Sequence, residues 1–426
     1  MDNLKALDKE FIANTYGRFD LALVKGKGSL VYDENGKEYI DLSTGIAVNA
    51  FGIADDEWKQ AVIDQLDCIQ HTSNLYYSIP QVKLAKLLCE RTGMKKVFFA
   101  NSGAEANECA IKVARKYSSD KYGDDRNVIV TLVNSFHGRT ITTLAATGQD
   151  VFHKSFGPFT GGFVYCPAND FETMKKLCEE NNVCGIMMEL VQGEGGVIAL
   201  DKEFVKNVEA LCKEKDYCMI IDEVQTGNGR SGNLYAFLEY GIKPDVVSTA
   251  KGLAGGLPMG ACLIGEKCEN TMGTSSHGST FGGNPISAAA ACSIISRIDD
   301  EMLAGVKKKS KLVIEKLSGL VLDDNFVPTG IAGNDDKAAF DELMKSYKPG
   351  IWPSVKPGIK CVSGMGLMLG ILPDAAAKDV VIKCIENGVI PLTAHEKVRL
   401  LPALNIPDEL LVKGLDILAK VCGELA

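Results

Sequence analysis

The 426-residue chain lacks the features of several specialised protein classes. It has five histidines, and its fourteen cysteines never form a Cys-x-x-Cys pair, so neither a zinc site nor a disulfide framework is indicated. No run approaches about 18 uninterrupted apolar residues, the length of a membrane-spanning helix. Residues 1–11 mix acidic and basic side chains and contain no apolar stretch for a signal peptide. We therefore expect a cytoplasmic protein without a membrane span.

Basic side chains are too few for a nucleic-acid-binding surface. There are 46 Lys and Arg against 55 Asp and Glu, for a net charge of -9. The one dense basic cluster, at 307–311, is typical of the solvated face of a helix. We therefore expect no nucleic-acid partner. The length allows two or three domains.

Short apolar runs alternate with helical patterns between about residues 80 and 295. This alternation predicts an α/β fold with a mostly parallel sheet covered by helices. Helix faces are indicated by apolar residues at Ala106, Ala110, Val113 and Tyr117 and again in the segment 204–212. The predicted strands are 97–100, 128–133, 185–188, 218–221 and 246–248.

Residues before and after this region follow other patterns. Leu30–Leu42 predicts a β-hairpin with a tight primed turn at Asn35 and Gly36. After about residue 300 we expect a smaller α+β domain with strands at 362–371 and 398–401 and a last helix that begins at Pro407.

These patterns divide the chain into three parts. Residues 1–55 form a segment that joins the small domain, 56–300 form the large domain, and 301–426 form the small domain. The stretch 323–358 is rich in proline and glycine and predicts an inserted surface excursion with a short helix at 337–346.

Polar residues follow three of the predicted elements, where α/β proteins place their sites. Ser102, Gly103 and Ala104 lie between a strand and a helix, and their free amides suit a phosphate; a simple serine cap is the alternative. Asp222 closes a buried strand and could hold a protonated ring nitrogen; metal ligation is the rival interpretation. Lys251 follows a buried strand, where desolvation favours a nucleophilic amine.

Two further clusters carry groups that can bind a ring or an anion. In the segment 135–140, Phe136 can stack on a heterocycle, His137 follows it, and Arg139 can form a forked pair with a carboxylate. In the segment 277–284, the hydroxyls of Ser279 and Thr280 lie among glycines and could contact a phosphate. These groups together describe a pyridoxal-phosphate enzyme.

The motif order makes this description specific. SGAEAN, SFHGRT, VQGEGG, IDEVQTGNGR, TAKGLAGGLPMGA, HGSTFGGNP and VRLLPALN occur in that order between residues 102 and 405. In this order the chain resembles the class III, or ornithine-type, aminotransferases, and most closely their acetylornithine-type members. The resemblance implies an aspartate-aminotransferase-like large domain, fold type I of the pyridoxal-phosphate enzymes, with pyridoxal 5'-phosphate as the cofactor.

The resemblance also implies roles for single residues. Lys251 and Asp222 would be catalytic, the first through a Schiff base and the second through the pyridine nitrogen. Gln225 would reach the ring hydroxyl, and Val224 would support the ring face opposite the stacked Phe136. The remaining cofactor contacts would be Ser102, Gly103, Ala104, His137 and, from the partner subunit of a homodimer, Thr280.

Three residues would let one pocket accept two amino donors. Arg139 would bind the far carboxylate, and Arg399 would bind the α-carboxylate of glutamate and otherwise pair with Glu194. Ser279 would complete the substrate contacts. A permanent Glu194–Arg399 pair that ties two domains together is the alternative. The implied reaction moves the distal amine of N-acetylornithine to 2-oxoglutarate by a ping-pong mechanism, in arginine biosynthesis.

Other interpretations stay open at this stage. The scaffold could act on ornithine, 4-aminobutyrate, succinyl-ornithine or succinyl-diaminopimelate, or bind the cofactor without catalysis. A metal-dependent enzyme that uses Asp222, Glu223 and Glu194 is a third class. The chain departs from the family at 51–56, which lacks an expected histidine motif, and at Leu190, where the family usually has proline.

Overall fold

The computed structural model describes the backbone of residues 2–426 and the side chains of residues 4–426. The helices are α1 Asp2–Phe11, α2 Thr44–Ala47, α3 Asp56–Leu66, α4 Ile79–Thr92, α5 Gly103–Tyr122, α6 Ile141–Ala146, α7 Phe171–Glu180, α8 Lys202–Lys215, α9 Ala236–Tyr240, α10 Pro285–Arg297, α11 Asp300–Ser318, α12 Lys337–Met344, α13 Ala377–Glu386 and α14 Asp408–Glu424. The strands are β1 Leu23–Lys27, β2 Leu30–Asp33, β3 Glu38–Asp41, β4 Lys96–Ala100, β5 Val128–Leu132, β6 Phe163–Cys166, β7 Val183–Met188, β8 Val191–Gln192, β9 Ile198–Ala199, β10 Cys218–Asp222, β11 Val246–Thr249, β12 Gly260–Ile264, β13 Leu320–Leu322, β14 Pro328–Ile331, β15 Ile351–Pro353, β16 Ile359–Met365, β17 Met368–Pro373, β18 Val389–Ile390, β19 Leu392–Ala394 and β20 Lys397–Leu400. Short 3-10 turns span Asp150–Phe152, Lys251–Leu253 and Glu266–Cys268.

A seven-stranded sheet in the order β4-β12-β11-β10-β7-β5-β6 forms the larger core. Strands β11, β10, β7, β5 and β6 run parallel to one another. Strand β12 is antiparallel to both β11 and β4, so β4 points the same way as the parallel strands. The predicted α/β fold with a mostly parallel sheet is confirmed. All five predicted strands of this region overlap observed strands, whereas β6 and β12 were not predicted.

Helix α5 covers one face of this sheet with its apolar side. Ala106, Ala110 and Val113 are fully buried, and the last two pack in one cluster with Cys218 and Val246 of the sheet. Small side chains on the helix let its backbone approach the strands closely. This close packing fixes the beginning of α5 next to the ends of the strands.

A second, five-stranded sheet in the order β15-β16-β17-β20-β19 lies in the C-terminal part of the chain. Helices α11, α13 and α14 pack on it through an apolar cluster that includes Val313, Val380 and Leu418. The prediction of one strand at 362–371 is wrong, because β16 and β17 form an antiparallel pair that turns at Gly366. The apolar pattern continues through the turn because Leu367 is itself buried, which hid the turn in the sequence.

The predicted hairpin is present as β2 and β3, with Leu30 opposite Ile40. The primed turn is wrong, because of its two residues only Gly36 has a positive φ, at +82°. Asp33 replaces that turn type: its carbonyl accepts from the Gly36 N–H at 3.1 Å, and its carboxylate accepts from the Asn35 N–H at 2.9 Å.

The N-terminal segment packs against the C-terminal part of the chain. Strand β3 pairs with β18, and Ile40 and Leu42 belong to the same apolar cluster as Val313. This contact agrees with a segment that joins the small domain, while the boundaries at residues 55 and 300 stay a prediction.

The stretch 323–358 contains a strand of the second sheet as well as surface structure. Helix α12 coincides with the predicted short helix, and β15 pairs with β16. Trp352 is 4% exposed, and its indole N–H donates to the Phe326 carbonyl at 2.9 Å. The stretch is therefore anchored in the core at Trp352, and its origin as an insertion stays a prediction.

The segment 51–56, which lacks the family's histidine motif, has a structural role. Asp55 caps α3 by accepting from the Trp58 N–H at 2.9 Å, and it pairs with Arg297 at 2.7 Å. The arginine also lies over the Phe51 ring, 4.2 Å from its centre.

Within residues 2–426 no helix combines the length and apolar content needed to cross a bilayer.

Candidate active site

The carboxyl ends of the parallel strands meet at one edge of the central sheet, and most of the predicted site residues follow them. Strand β4 ends shortly before Ser102, β10 ends at Asp222, and β11 ends shortly before Lys251. Strand β7 ends directly before Glu189. Parallel strands bring their ends together at one edge, so residues far apart in sequence become neighbours.

Asp222 is a buried carboxylate with three hydrogen-bond partners. Its Oδ2 accepts from Asn107 Nδ2 at 2.7 Å and lies 2.8 Å from His137 Nδ1. Its Oδ1 accepts from the Val224 N–H at 3.0 Å, and the residue is 3% exposed. A carboxylate oxygen can accept two hydrogen bonds, so Oδ1 can accept another. The three donors orient the carboxylate for a protonated ring nitrogen.

Lys251 presents its amine among charged side chains without a direct partner. Within the described side chains no hydrogen bond or ion pair reaches its Nζ. Burial lowers the pKa of the Lys251 ammonium; Glu194 opposes this effect and Arg399 adds to it. Its backbone has φ +49°, an uncommon value for a residue with a side chain. An unpaired amine with a lowered pKa is suited to nucleophilic attack and proton transfer.

The beginning of α5 forms a cradle for an anion. Ser102 is the N-cap, and its Oγ accepts from the Glu105 N–H at 3.2 Å. The serine cap named as the alternative is therefore present, and phosphate binding at this position stays a prediction. The amides of Gly103 and Ala104 belong to the first turn, where N–H groups have no partner inside the helix. A side chain at Gly103 would come within 2.7 Å of Val224, so the glycine lets these two segments meet.

The segment that contains Phe136 and Arg139 lies against this cradle. Gly138 has φ +142°, and a Cβ there would approach Ala104 within 2.8 Å. The Phe136 N–H donates to Glu189 Oε1 at 2.9 Å. Arg139 is exposed, so its guanidinium is available to a ligand.

Glu194 and Arg399 form the ion pair that the sequence predicted. Glu194 Oε1 lies 2.7 Å from Arg399 Nη1, which also donates to Gln225 Oε1 at 3.1 Å. Burial raises the pKa of Glu194, but the charge and hydrogen bond of Arg399 outweigh it, and the pKa falls below its ordinary value. Arg399 Nε is buried and has no partner among the described residues. The guanidinium therefore keeps a free N–H for another carboxylate.

Gln225 lies at this ion pair, where it contacts Arg399. A role for it at the ring hydroxyl stays a prediction.

Ser279 lies beside the anion cradle and is tied to it. Its Oγ accepts from Asn101 Nδ2 at 3.2 Å and from the Gly282 N–H at 2.9 Å. Thr280, the next residue, is exposed. The structure thus brings Ser279 to the phosphate side of the site, and its role as a substrate contact stays a prediction.

Two residues of the site, Asn107 and Glu189, were missed in the sequence. Asn107 donates to Asp222 and also to the His137 carbonyl at 2.8 Å. Glu189 accepts from Phe136 and, through Oε2, from the Gly193 N–H at 3.1 Å, and burial raises its pKa. Only Glu189 gave a signal in the sequence, because it directly follows the buried strand β7.

The turn α2 also lies at the site. Its four residues, Thr44–Ala47, all have positive φ values, including +66° for the β-branched Ile46. A Cβ at Gly252 would lie 3.3 Å from the Ala47 carbonyl oxygen, so the turn packs beside the lysine segment. Three of the four residues, all except Gly45, bear side chains, and left-handed backbone at such residues is costly and typical of functional sites.

The donors and acceptors at this edge fit pyridoxal 5'-phosphate. Free amides at the α5 cradle suit its phosphate, Oδ1 of Asp222 can accept from its ring nitrogen, and the unpaired amine of Lys251 can react with its aldehyde. Glu223, by contrast, binds Thr226 and the Phe237 N–H, away from Asp222's partners. Among the described side chains no three metal-binding groups cluster.

Comparisons with known proteins agree with this fit. The family model described as aminotransferase class-III matches residues 11–329. The acetylornithine aminotransferase of Haemophilus ducreyi is 47% identical over 426 residues, covering 100% of this chain and 99% of that protein.

Solved structures extend the likeness to the fold. N-acetylornithine aminotransferase from Stenotrophomonas maltophilia K279a is 31% identical with a TM-score of 0.76, over 98% of this chain and 97% of that chain. An ornithine aminotransferase from Toxoplasma gondii, with partial occupancy of PLP at its active site, is 26% identical with a TM-score of 0.86 over 100% of this chain and 94% of that chain.

Proposed function

The chain belongs to the class III aminotransferases, which are pyridoxal-phosphate-dependent transaminases, and from this premise we propose that its amino donor is N-acetylornithine. The distal amine would pass to 2-oxoglutarate, giving N-acetylglutamate semialdehyde and glutamate, a step of arginine biosynthesis. The ornithine aminotransferase fold likeness keeps free ornithine as the second candidate. The full-length identity of 47% to an acetylornithine aminotransferase favours the first.

The observation that carries the proposal is the 2.7 Å pair of Glu194 and Arg399 within electrostatic range of Lys251. When the pair is open, Arg399 can bind the α-carboxylate of glutamate. When it is closed, the arginine is neutralised, which suits a donor whose reacting amine has no carboxylate next to it. Arg139 would bind the far carboxylate of either donor through its forked N–H groups.

Different residues of the chain would have different roles in the reaction. Pyridoxal phosphate, when bound, supplies an electron-withdrawing ring that accepts the electron pair released at the substrate carbon. Asp222, held in place by Asn107 and His137, would keep the proton on the ring nitrogen. Lys251 would take the proton from the substrate carbon and deliver it to the aldehyde carbon of the cofactor. The two half-reactions share these groups, so the kinetics should be ping-pong.

Further residues would hold the cofactor. The amides of Gly103 and Ala104 and the hydroxyl of Ser102 would bind the phosphate. Phe136 would stack on one ring face and Val224 would support the other, as the contact between Val224 and Gly103 favours.

We also propose a homodimer in which Thr280 completes the phosphate site of the partner subunit. Exposed apolar residues support it: Leu75, Tyr76 and Tyr77 are 89%, 70% and 101% exposed, and Phe281 beside Thr280 is 60% exposed. A patch of this kind is costly in water and typical of an interface.

The fourteen unpaired cysteines support a cytoplasmic location.

The donor assay tests the proposed function. Initial rates with 2-oxoglutarate are measured for N-acetylornithine, ornithine, 4-aminobutyrate, succinyl-ornithine and succinyl-diaminopimelate. We expect the highest kcat/KM with N-acetylornithine. A clear preference for free ornithine would reverse the assignment.

A further inference from the structure

Arg139 is held by aromatic rings and not by polar groups. Its guanidinium carbon lies 4.0 Å from the centre of the Phe152 ring and 5.4 Å from that of Phe136. Among the side chains of residues 4–426, none forms a hydrogen bond or ion pair with this guanidinium. The 4.0 Å distance is that of a stacked cation over a ring face. All N–H groups of an exposed arginine are therefore left for a ligand.

The two rings form a corner around the guanidinium. Phe136 and Phe152 meet edge to face, with centres 5.9 Å apart and planes at 80°. Phe136 is fixed in turn by the hydrogen bond from its N–H to Glu189. A ring corner restricts the rotation of the arginine without using its donors. An arginine that is ordered before binding loses less conformational entropy when a carboxylate arrives.

Phe152 is itself fixed by anchors on both sides of its 3-10 turn. Gln149, which is buried, donates from Nε2 to the Ser135 carbonyl at 3.0 Å. His153 Nε2 lies 2.9 Å from the Leu144 carbonyl oxygen. These contacts join the turn to the segment that carries Arg139, so the ring and the guanidinium keep their relative position.

We propose that Phe152 is a positioning residue for carboxylate recognition, and that it acts by stacking on Arg139. The inference rests on the proposed function, in which Arg139 binds the far carboxylate of the substrate. Without the ring, the long side chain of Arg139 is free to leave the site. The loss should appear in substrate affinity and not in the chemical step, because Phe152 touches no reacting group.

Phe152→Leu removes the ring face and keeps an apolar side chain. For glutamate and N-acetylornithine we expect KM to rise about threefold, the size of an exposed cation–ring contact, with kcat unchanged. L-Alanine has no far carboxylate, so its half-reaction should keep its rate. Phe152→Tyr, which restores a ring face, should restore KM. If Phe152→Leu fails to fold, Phe152→Met carries the same test.

Two controls separate positioning from general damage. Phe156 belongs to the same loop and is 55% exposed, and Phe156→Leu should leave KM unchanged. In an Arg139→Ala background, Phe152→Leu should add no further rise in KM. An additional rise there, or an equal loss with alanine, would overturn the positioning role.

A binding measurement separates this inference from the proposed function. Glutarate is a dicarboxylate without an amine, and calorimetry measures its binding to the holoenzyme without turnover. We expect Phe152→Leu to weaken glutarate binding about threefold. If the wild type binds glutarate but transfers no amine, the proposed function fails and the inference stands. If transfer occurs and Phe152→Leu changes neither KM nor glutarate affinity, the inference fails alone.

Discussion

The Glu194→Gln substitution tests whether the ion pair of Glu194 with Arg399 opens and closes to let the site accept two different amino donors. The arginine side chain is 3% exposed and the glutamate side chain 31% exposed. An exposed pair contributes up to ~1 kcal/mol, whereas breaking a buried pair costs about 3–5 kcal/mol. For this partly covered pair we take about 1.5 kcal/mol, since the solvent that reaches Glu194 screens its charge. That free energy corresponds to roughly a tenfold change in a rate constant.

The two donors should respond in opposite directions. The α-carboxylate of glutamate must displace Glu194 from Arg399, so kcat/KM for glutamate should rise by up to about tenfold in Glu194→Gln. N-Acetylornithine needs the arginine neutralised, so its kcat/KM should fall by a similar factor. Initial rates for each donor with a saturating keto acid measure both changes.

Glu239→Gln is a matched control, because the Glu239 side chain is also 31% exposed and pairs with Lys202 at 3.1 Å. Glu239→Gln should leave kcat/KM unchanged for both glutamate and N-acetylornithine. If Glu194→Gln instead lowers both kcat/KM values equally and also lowers the melting temperature, the pair is a fixed tie between two parts of the molecule. The switch would then be refuted.

Three further substitutions test other parts of the account. Lys251→Arg should abolish turnover in the coupled rate assay, while the melting temperature and the particle size by light scattering stay unchanged. Activity near the wild-type rate would exclude Lys251 as the catalytic amine. Asn107→Ala removes a hydrogen bond to a carboxylate, worth about 1.5–3 kcal/mol, so kcat/KM should fall about tenfold or more, and an unchanged value would contradict the proposed positioning of Asp222. Burial raises the pKa of Glu223 from 4.5 to about 7, so its protonation contributes stability that is complete below about pH 4.5 and is lost as the pH rises through 7. Glu223→Gln should therefore flatten the unfolding free energy between about pH 4.5 and 7, as measured by denaturant titration, whereas a curve parallel to that of the wild type would contradict the buried acid.

Most of the parallel strands could be predicted from the sequence because each is a short, mostly apolar run, although β6 was missed. Strand β10 reads Cys-Met-Ile-Ile before Asp222, and both its faces are buried. Strand β12 escaped prediction because it begins at Gly260, within a run of small residues that is typical of a loop. It is a strand because Gly260–Ile264 pair with β4 and β11 on either side, and such long-range pairing leaves no mark on the local sequence.

The site residues also fall into two groups: those that the local sequence indicates, and those that only contacts in the folded chain identify. Asp222 and Lys251 stand out because each is a charged residue at the end of an apolar strand. Asn107 and Phe152 act only through partners distant in the chain: Asn107 on Asp222, and Phe152 on Arg139. Their side-chain types are ordinary for a helix and a loop, so composition and spacing could not identify them. Only the contacts made after folding assign them to the site.

The measurement that tests the central claim most directly is the covalent position of the cofactor. Borohydride reduction of the purified holoenzyme, followed by peptide mass spectrometry, fixes the cofactor to the amine that holds it. The account predicts a bleached protein with the pyridoxyl group on Lys251, and no label in a sample first converted by excess N-acetylornithine. A label on another lysine, or a colourless protein that takes up none, would contradict it.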